Sequence, residues 1–451
     1  MELSGFSMAP LNATLKLRPF RAAVPDKEVE HFKSLLRLSK VGPMTYENLA
    51  ESAQFGLQRE RLKRAKEIWE QGYDWRKTEE RINSFPNFVV PVEYEGDLFS
   101  IHFVALFSQR QDALPVLLLH GWPGSFLEFL GVLDVYRNKY SAADLPYHIV
   151  VPSLPGYGYS SGPPLDKSFE LKDVAQILDS LMTGIGFSSG YVAQGGDIGS
   201  FLSRILGVTS KHCKAVHLNF CGMSPPDGFR METLSSMEKA GLDRMQTFIN
   251  QGSAYTLQHI TRPATIGLVV SSSPLALLAW IGEKILEWSD TDPPLNHVLD
   301  AATLYWFTES FPRSIYPYRN NGSPPSNLHG SKEYFLEVPF GYSYFPKEFA
   351  PTPVAWAGTT GNLLWSRIHE SGGHFAASEV PEVFVNDLDD FIGKLLEKED
   401  AGSVAQIDVL LRDVEFSVGY LVLANSRLRT VTPLRCSWDG THGGLIAKKL
   451  P

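Results

Sequence analysis

The stretch Tyr191-Val192-Ala193-Gln194-Gly195-Gly196-Asp197-Ile198-Gly199 decides the fold. An apolar run, 191–194, ends in two glycines, and helical periodicity then runs from Ile198 to Leu206. Strand, sharp turn and helix in that order permit a strained elbow, in which small residues on both sides lift one side chain above the carboxyl end of a sheet. Asp197 stands at the tip. Alone, the string reads equally well as a Gly-rich turn with Asp197 capping the helix. Two literal GxSxG strings compete with it, Gly158-Tyr159-Ser160-Ser161-Gly162 and Gly186-Phe187-Ser188-Ser189-Gly190. The first runs into Pro163-Pro164 and the second precedes a strand, so both read as turns, which argues against a serine esterase.

Strand-like runs at 88–94, 98–107, 116–119 and 147–152 precede the elbow, and another at 215–220 follows it, with a helical pattern at 174–182 between them. Alternation of this kind predicts an α/β protein with a mainly parallel, doubly wound sheet. From 221 to 332 strand signals vanish; a segment that long is not a loop, and it reads as a helical insertion. Strands are expected again at 338–345, 354–357 and 363–368, then a closing helix at 380–396. Beyond Lys398 the alternation stops, apart from an apolar run at 418–423. Two surface helices are expected near the start, one through Val29, Phe32, Leu35 and Leu36 and one through Leu62, Ala65, Ile68 and Trp69.

The 451 residues include 41 Lys and Arg against 50 Asp and Glu, and 43% are hydrophobic, which is globular composition with room for a large core. A net charge of −9 without a basic cluster excludes nucleic acid as a partner. The longest apolar stretch, 266–281, is broken by Ser271-Ser272-Ser273-Pro274 and falls short of the ~20 residues that span a bilayer. It reads as a buried helix or pocket wall. Residues 1–20 lack the layout of a secretory signal. Cys213, Cys221 and Cys436 have no metal-ligand spacing, and a reducing, cytoplasmic setting fits them.

His120-Gly121-Trp122-Pro123-Gly124 follows the run 116–119, where backbone N–H groups can face the elbow, with Ile198 supplying a second donor. Gly372-Gly373-His374-Phe375 puts a histidine after a late strand, the right context for a base. Glu348, in Phe345-Pro346-Lys347-Glu348, follows an earlier strand; the plain alternative is an exposed Glu beside Lys347. The order Asp197, Glu348, His374 matches the nucleophile, acid, base order of α/β-hydrolases.

With these motifs the chain resembles epoxide hydrolases of the microsomal type, above all the soluble fungal ones. The resemblance covers roughly 15–396 and also rests on Pro152-Ser153-Leu154-Pro155-Gly156-Tyr157, Thr261-Arg262-Pro263, Ser273-Pro274 and Glu309-Ser310-Phe311. Tyr73-Asp74-Trp75-Arg76 to Asn83-Ser84-Phe85-Pro86 resembles that family's meander. The implied division is an N-terminal meander (1–87), an α/β-hydrolase core (88–222 and 336–398) with a helical lid between its parts (223–335), and an extension of unknown role (399–451). The membrane-anchoring helix of microsomal members has no match here.

The resemblance also implies two lid tyrosines, Tyr255 and Tyr318, with Tyr316 the residue most easily confused with the second. It implies hydrolysis of a small epoxide to a vicinal diol without metal or cofactor. Asp197 would form an ester, Tyr255 and Tyr318 would activate the ring oxygen, and His374 oriented by Glu348 would activate water. The N–H groups of Trp122 and Ile198 would hold the oxyanion. Trp280, Trp306, Phe307 and Phe311 suggest an aromatic pocket. A second copy of the chain is the one macromolecular partner left open. Haloalkane dehalogenation is the alternative enzyme reading, since it shares the Asp nucleophile, but halide departure wants N–H donors where an alkoxide wants phenols. A catalytically silent binding protein is the alternative outside enzymes.

Overall fold

The computed structural model describes residues 5–50, 54–322, 328–412, 434–439 and 444–449. Nine strands form one sheet in the order β1-β2-β3-β5-β4-β6-β7-β8-β9. β1 (Arg18–Pro19), β2 (Asn87–Tyr94) and β3 (Asp97–Leu106) pair antiparallel at one edge. β3 also runs antiparallel to β5 (Tyr147–Pro152). From β5 the sheet is parallel through β4 (Leu114–Leu119), β6 (Tyr191–Gly195), β7 (Cys213–Leu218), β8 (Leu336–Tyr344) and β9 (Gly361–Ile368). The central strands are near-continuous apolar runs because helices cover both faces. Val116, Leu117, Leu118 and Leu119 are all fully buried.

Among the described residues four α-helices precede the sheet's main part: α1 (Asp26–Leu38), α2 (Tyr46–Leu49), α3 (Arg59–Gln71) and α4 (Trp75–Asn83). α5 (Leu130–Lys139), α6 (Leu171–Met182) and α7 (Asp197–Thr209) are the crossover helices. Between β7 and β8 every described regular element is helical: α8 (Ser236–Thr247), α9 (Ala254–Thr261), α10 (Pro263–Val270), α11 (Pro274–Trp288), α12 (Leu295–Phe307) and α13 (Ser310–Ser314). The N-terminal segment is latched to α12. Trp69 Nε1 donates to Thr303 Oγ1 at 3.0 Å, and Tyr73 and Thr78 hydroxyls donate to Asp300 at 2.7 and 2.6 Å.

The apolar run 266–281 becomes α10 and α11, bent by 117° at the serine break. Ile266, Val270, Leu275, Leu278 and Ile281 are buried in it. Among the described residues no single helix is long and apolar enough to cross a membrane.

Two expectations are corrected. Residues 354–357 form a helical turn, α14 (Val354–Ala357), not a strand. Four apolar residues carry no period of their own, and Pro353 presets the helical entry while Trp356 supplies the buried contact. The closing helix does not stop at Leu396. After the short α15 (Ala376–Glu379), α16 runs from Pro381 to Arg412, past the point where the apolar stripe ends.

The chain divides into two units, Met1–Leu395 and Leu396–Pro451. In the second, β10 (Leu434–Asp439) pairs antiparallel with β11 (Gly444–Lys449). The apolar run 418–423 lies outside the described residues.

Candidate active site

The elbow is built from backbone crowding. A Cβ on Gly195 would lie 2.1 Å from Gly199 O, and one on Gly199 2.1 Å from Leu119 O, so only glycine lets α7 start this close to the ends of β6 and β4. Asp197 between them is held at φ +46°, a left-handed conformation that a non-glycine residue adopts at a cost. The helix-capping reading of Asp197 is overturned: the cap position is Gly196, and no side chain caps the helix. Instead Asp197 Oδ1 accepts the N–H of Trp122 at 2.8 Å, and the N–H of Ile198 also hydrogen-bonds this carboxylate.

The loop after β4 fits around it. A Cβ on Gly121 would sit 2.1 Å from Asp197 Oδ1. Trp122 is joined to Pro123 by a cis peptide. Beneath, His120 Nδ1 donates to Gly121 O at 3.0 Å and Nε2 accepts the Leu154 N–H at 3.2 Å. Burial lowers this ring to about 4, so it braces the loop as a neutral group.

His374 reaches the site from the loop after β9, with its N–H on Trp288 O at 3.0 Å. Its Nδ1 lies 2.8 Å from both oxygens of Glu348, and its Nε2 lies 3.5 Å from Asp197 Oδ2. Glu348 is 2% exposed, which disposes of the surface-glutamate alternative. Burial disfavours the His374 imidazolium, yet Glu348, Asp197 and Glu128 together outweigh it and hold the ring at about 9. Burial raises the Asp197 carboxyl, opposed by His374 and by the N–H groups of Ile198 and Trp122.

The two phenols expected at the site are Tyr255 on α9 and Tyr318 on the 3-10 turn Tyr316–Gly322. Their ring centres are 5.9 Å apart at 80°. Trp122 stacks on Tyr255 at 5.3 Å and meets Tyr318 edge-on at 5.8 Å. Tyr316 points elsewhere: its hydroxyl donates to Pro155 O at 3.0 Å and its ring packs on Phe169. Burial, then the charge of Asp197, pushes the Tyr255 hydroxyl well above the ordinary phenol range.

The four aromatics expected at the pocket fall into two groups. Phe311 packs on Trp122, and Trp280 donates to His259 Nε2 at 3.2 Å. Trp306 and Phe307 instead pack on Phe32 of α1, with Phe307 also on Trp75 of α4. They lie on the face of α12 that receives the N-terminal helices. Sequence reasoning missed Trp288 and Phe349, whose rings stand 5.2 and 4.6 Å from His374. With Phe248 they also line a cavity of about 980 Å³ that leads outward. It missed Glu128 too, although Ser125-x-x-Glu128 has a capping-box spacing. Glu128 shares with Asp197, His374 and Asn219 a cavity of about 20 Å³, room for one water. Burial raises its carboxyl to about 8.

Comparison with known proteins gives the family. Residues 17–129 match the family model described as epoxide hydrolase N terminus, and residues 115–239 that of the alpha/beta hydrolase fold. A putative epoxide hydrolase of Dothistroma septosporum is 43% identical over 406 residues, which is 88% of this chain and 95% of that protein. The chain belongs to the epoxide hydrolase family. Among solved structures, the epoxide hydrolase of Aspergillus niger superposes with a TM-score of 0.82 at 50% identity, covering 86% of this chain and 99% of that one. Epoxide hydrolase 1 of Oryctolagus cuniculus is 28% identical across 85% of this chain and 90% of its own. The sheet is mostly parallel, and the helices α8 to α13 enter between β7 and β8.

Proposed function

We propose that this epoxide hydrolase opens its substrate in two steps through an ester on Asp197. Displacement at a saturated carbon is slow when the leaving oxygen is a basic alkoxide, so a proton donor must be held beside it. Tyr255 and Tyr318 both pack on Trp122, whose N–H holds Asp197, and both would hydrogen-bond the ring oxygen. Asp197, raised by the elbow, attacks one ring carbon and becomes an ester.

The second step follows from the charge on His374. In the free enzyme its imidazolium is stabilised by Glu348 and Asp197, so it is no base. Esterification removes the Asp197 charge that held the imidazolium, and its proton passes to the phenolate left by ring opening. Neutral His374, kept in one tautomer by Glu348, then takes a proton from a water in the small cavity beside Asp197. The oxyanion that forms on Asp197 is met by the N–H groups of Trp122 and Ile198.

What supports this reading is a carboxylate 3.5 Å from the imidazole of a His–Glu pair, with two phenols packed on the Trp122 whose N–H holds that carboxylate. The phenols also separate it from dehalogenation, which has no alkoxide to protonate. The test is styrene oxide turnover to its diol by the wild type. With His374→Gln, the enzyme stops as a protein one substrate heavier, and the added mass maps to the peptide containing Asp197. A variant that forms diol without accumulating that adduct overturns the proposal.

A further inference from the structure

Lys284 of α11 is 5% exposed, yet it is not part of the machinery described so far. Its ammonium lies 5.2 Å from the centre of the Tyr255 ring and 5.7 Å from that of Trp280. Its carboxylate partner, Glu283 at 2.8 Å, is the preceding residue of the same helix and is itself 28% exposed. Burying an ammonium is costly, and a methionine or leucine would fill this depth of a lid helix without that cost. What the lysine adds is a charge over the face of one particular phenol. Among the described residues no cation lies over the Tyr318 ring, which packs instead on Trp122 and His259. His259, also against Tyr255, is held at about 3 by burial and then by Lys284, so it brings no charge of its own.

We propose that Lys284 makes Tyr255 the proton donor of ring opening, and leaves Tyr318 to hold the ring oxygen by a hydrogen bond. The inference rests on the two-step reading above and assigns its two phenols different roles. In the first step a bond forms between Asp197 and a ring carbon while that carbon's bond to oxygen breaks, and the oxygen takes the Tyr255 proton. Asp197 becomes a neutral ester and Tyr255 a phenolate. Negative charge therefore moves from the elbow onto the ring that faces Lys284, and a cation over the aromatic face favours that movement. The His374 imidazolium, no longer held by Asp197, then returns a proton to Tyr255, and in the second step ester hydrolysis produces a carboxylic acid whose proton restores that imidazolium. Atoms and charge balance over the cycle. Lys284 is thus a positioning residue, acting on substrate through Tyr255.

The effect belongs to ester formation alone, and only while Tyr255 has a hydroxyl. Rapid quenching of styrene oxide turnover, read by intact-protein mass spectrometry, separates the two steps. Lys284→Met should slow ester formation about thirtyfold, the size of a desolvated cation–aromatic attraction, and leave ester hydrolysis within about twofold, since no charge moves onto the Tyr255 ring there. Lys284→Arg should restore most of the loss. In a Tyr255→Phe background Lys284→Met should change little more, whereas in Tyr318→Phe its full cost should remain. If Lys284→Met does not fold, Lys284→Gln against Lys284→Arg gives the same comparison. A cost that persists in full in the Tyr255→Phe background makes Lys284 a structural residue and overturns the inference. A cost that vanishes only in the Tyr318→Phe background names the wrong tyrosine and overturns it too. A wild type that forms no ester fails the two-step reading itself; a wild type that forms ester at a rate indifferent to Lys284 fails only this inference.

Discussion

Tyr255 and Tyr318 share one ring oxygen in the proposed mechanism, so either hydroxyl alone still holds the substrate. Tyr255→Phe and Tyr318→Phe should each slow ester formation, and the double change should abolish turnover, since a missing general acid costs ~10²-fold to 10⁴-fold. Tyr316→Phe should leave the rate untouched, because its hydroxyl is spent on Pro155. Rapid-quench rates on the four variants check this; activity lost with Tyr316 and kept with Tyr318 would reverse the assignment. Glu348→Gln should reduce ester hydrolysis more than ester formation, and less than His374→Ala does, because Glu348 orients the base without reacting. Asp197, His374 and Glu348 were legible in the sequence because each sits where a strand gives way to a turn. Tyr318 was not separable from Tyr316 by pattern, since only the 3-10 turn decides which phenol faces Trp122. Glu128 shows only a capping-box spacing, which marks a helix start and not burial, and Lys284 reads as an ordinary charge on a lid helix.

At the scale of elements, the elbow depends on two glycines that admit no side chain. Gly199→Ala would press a Cβ against Leu119 O, an overpacked backbone contact costing about 1–3 kcal/mol or more, and it should lower both the melting temperature and the rate of ester formation. Gly393→Ala in α16 has nothing within 4 Å of the new Cβ, and should raise stability by about 0.5–1 kcal/mol through helix propensity alone. Thermal melts of the pair decide it; equal effects would contradict the crowding argument. The sheet was legible because its strands are short apolar runs separated by helical periods. The turn at 354–357 was not, since four apolar residues that follow a proline fit strand and helix alike. The length of α16 was lost for the reverse reason: its apolar stripe fades while its helix formers continue.

For the whole molecule, all the proposed site residues and the nine-stranded sheet fall within the unit Met1–Leu395. Phe384, Val385, Leu388, Phe391, Ile392 and Leu395 of α16 are buried there. A chain ending at Lys398 should therefore fold and form diol; an insoluble product would show that the remainder covers apolar surface. Stability should depend on pH in a definite direction. His374 is raised from 6.5 to about 9 and Glu128 from 4.5 to about 8. Groups raised by folding contribute stability that is complete below their unfolded values and is lost as pH climbs through the folded ones. The melting temperature should fall as pH rises from about 6.5 to 9, and His374→Gln should flatten the upper part of that fall. The central claim is that Asp197 itself attacks the epoxide, and direct attack by water yields the same diol. One turnover with enzyme in excess in heavy-oxygen water distinguishes them. The account predicts a first diol carrying unlabelled oxygen from Asp197, with the heavy oxygen left in that carboxylate; heavy oxygen in the first diol would contradict it.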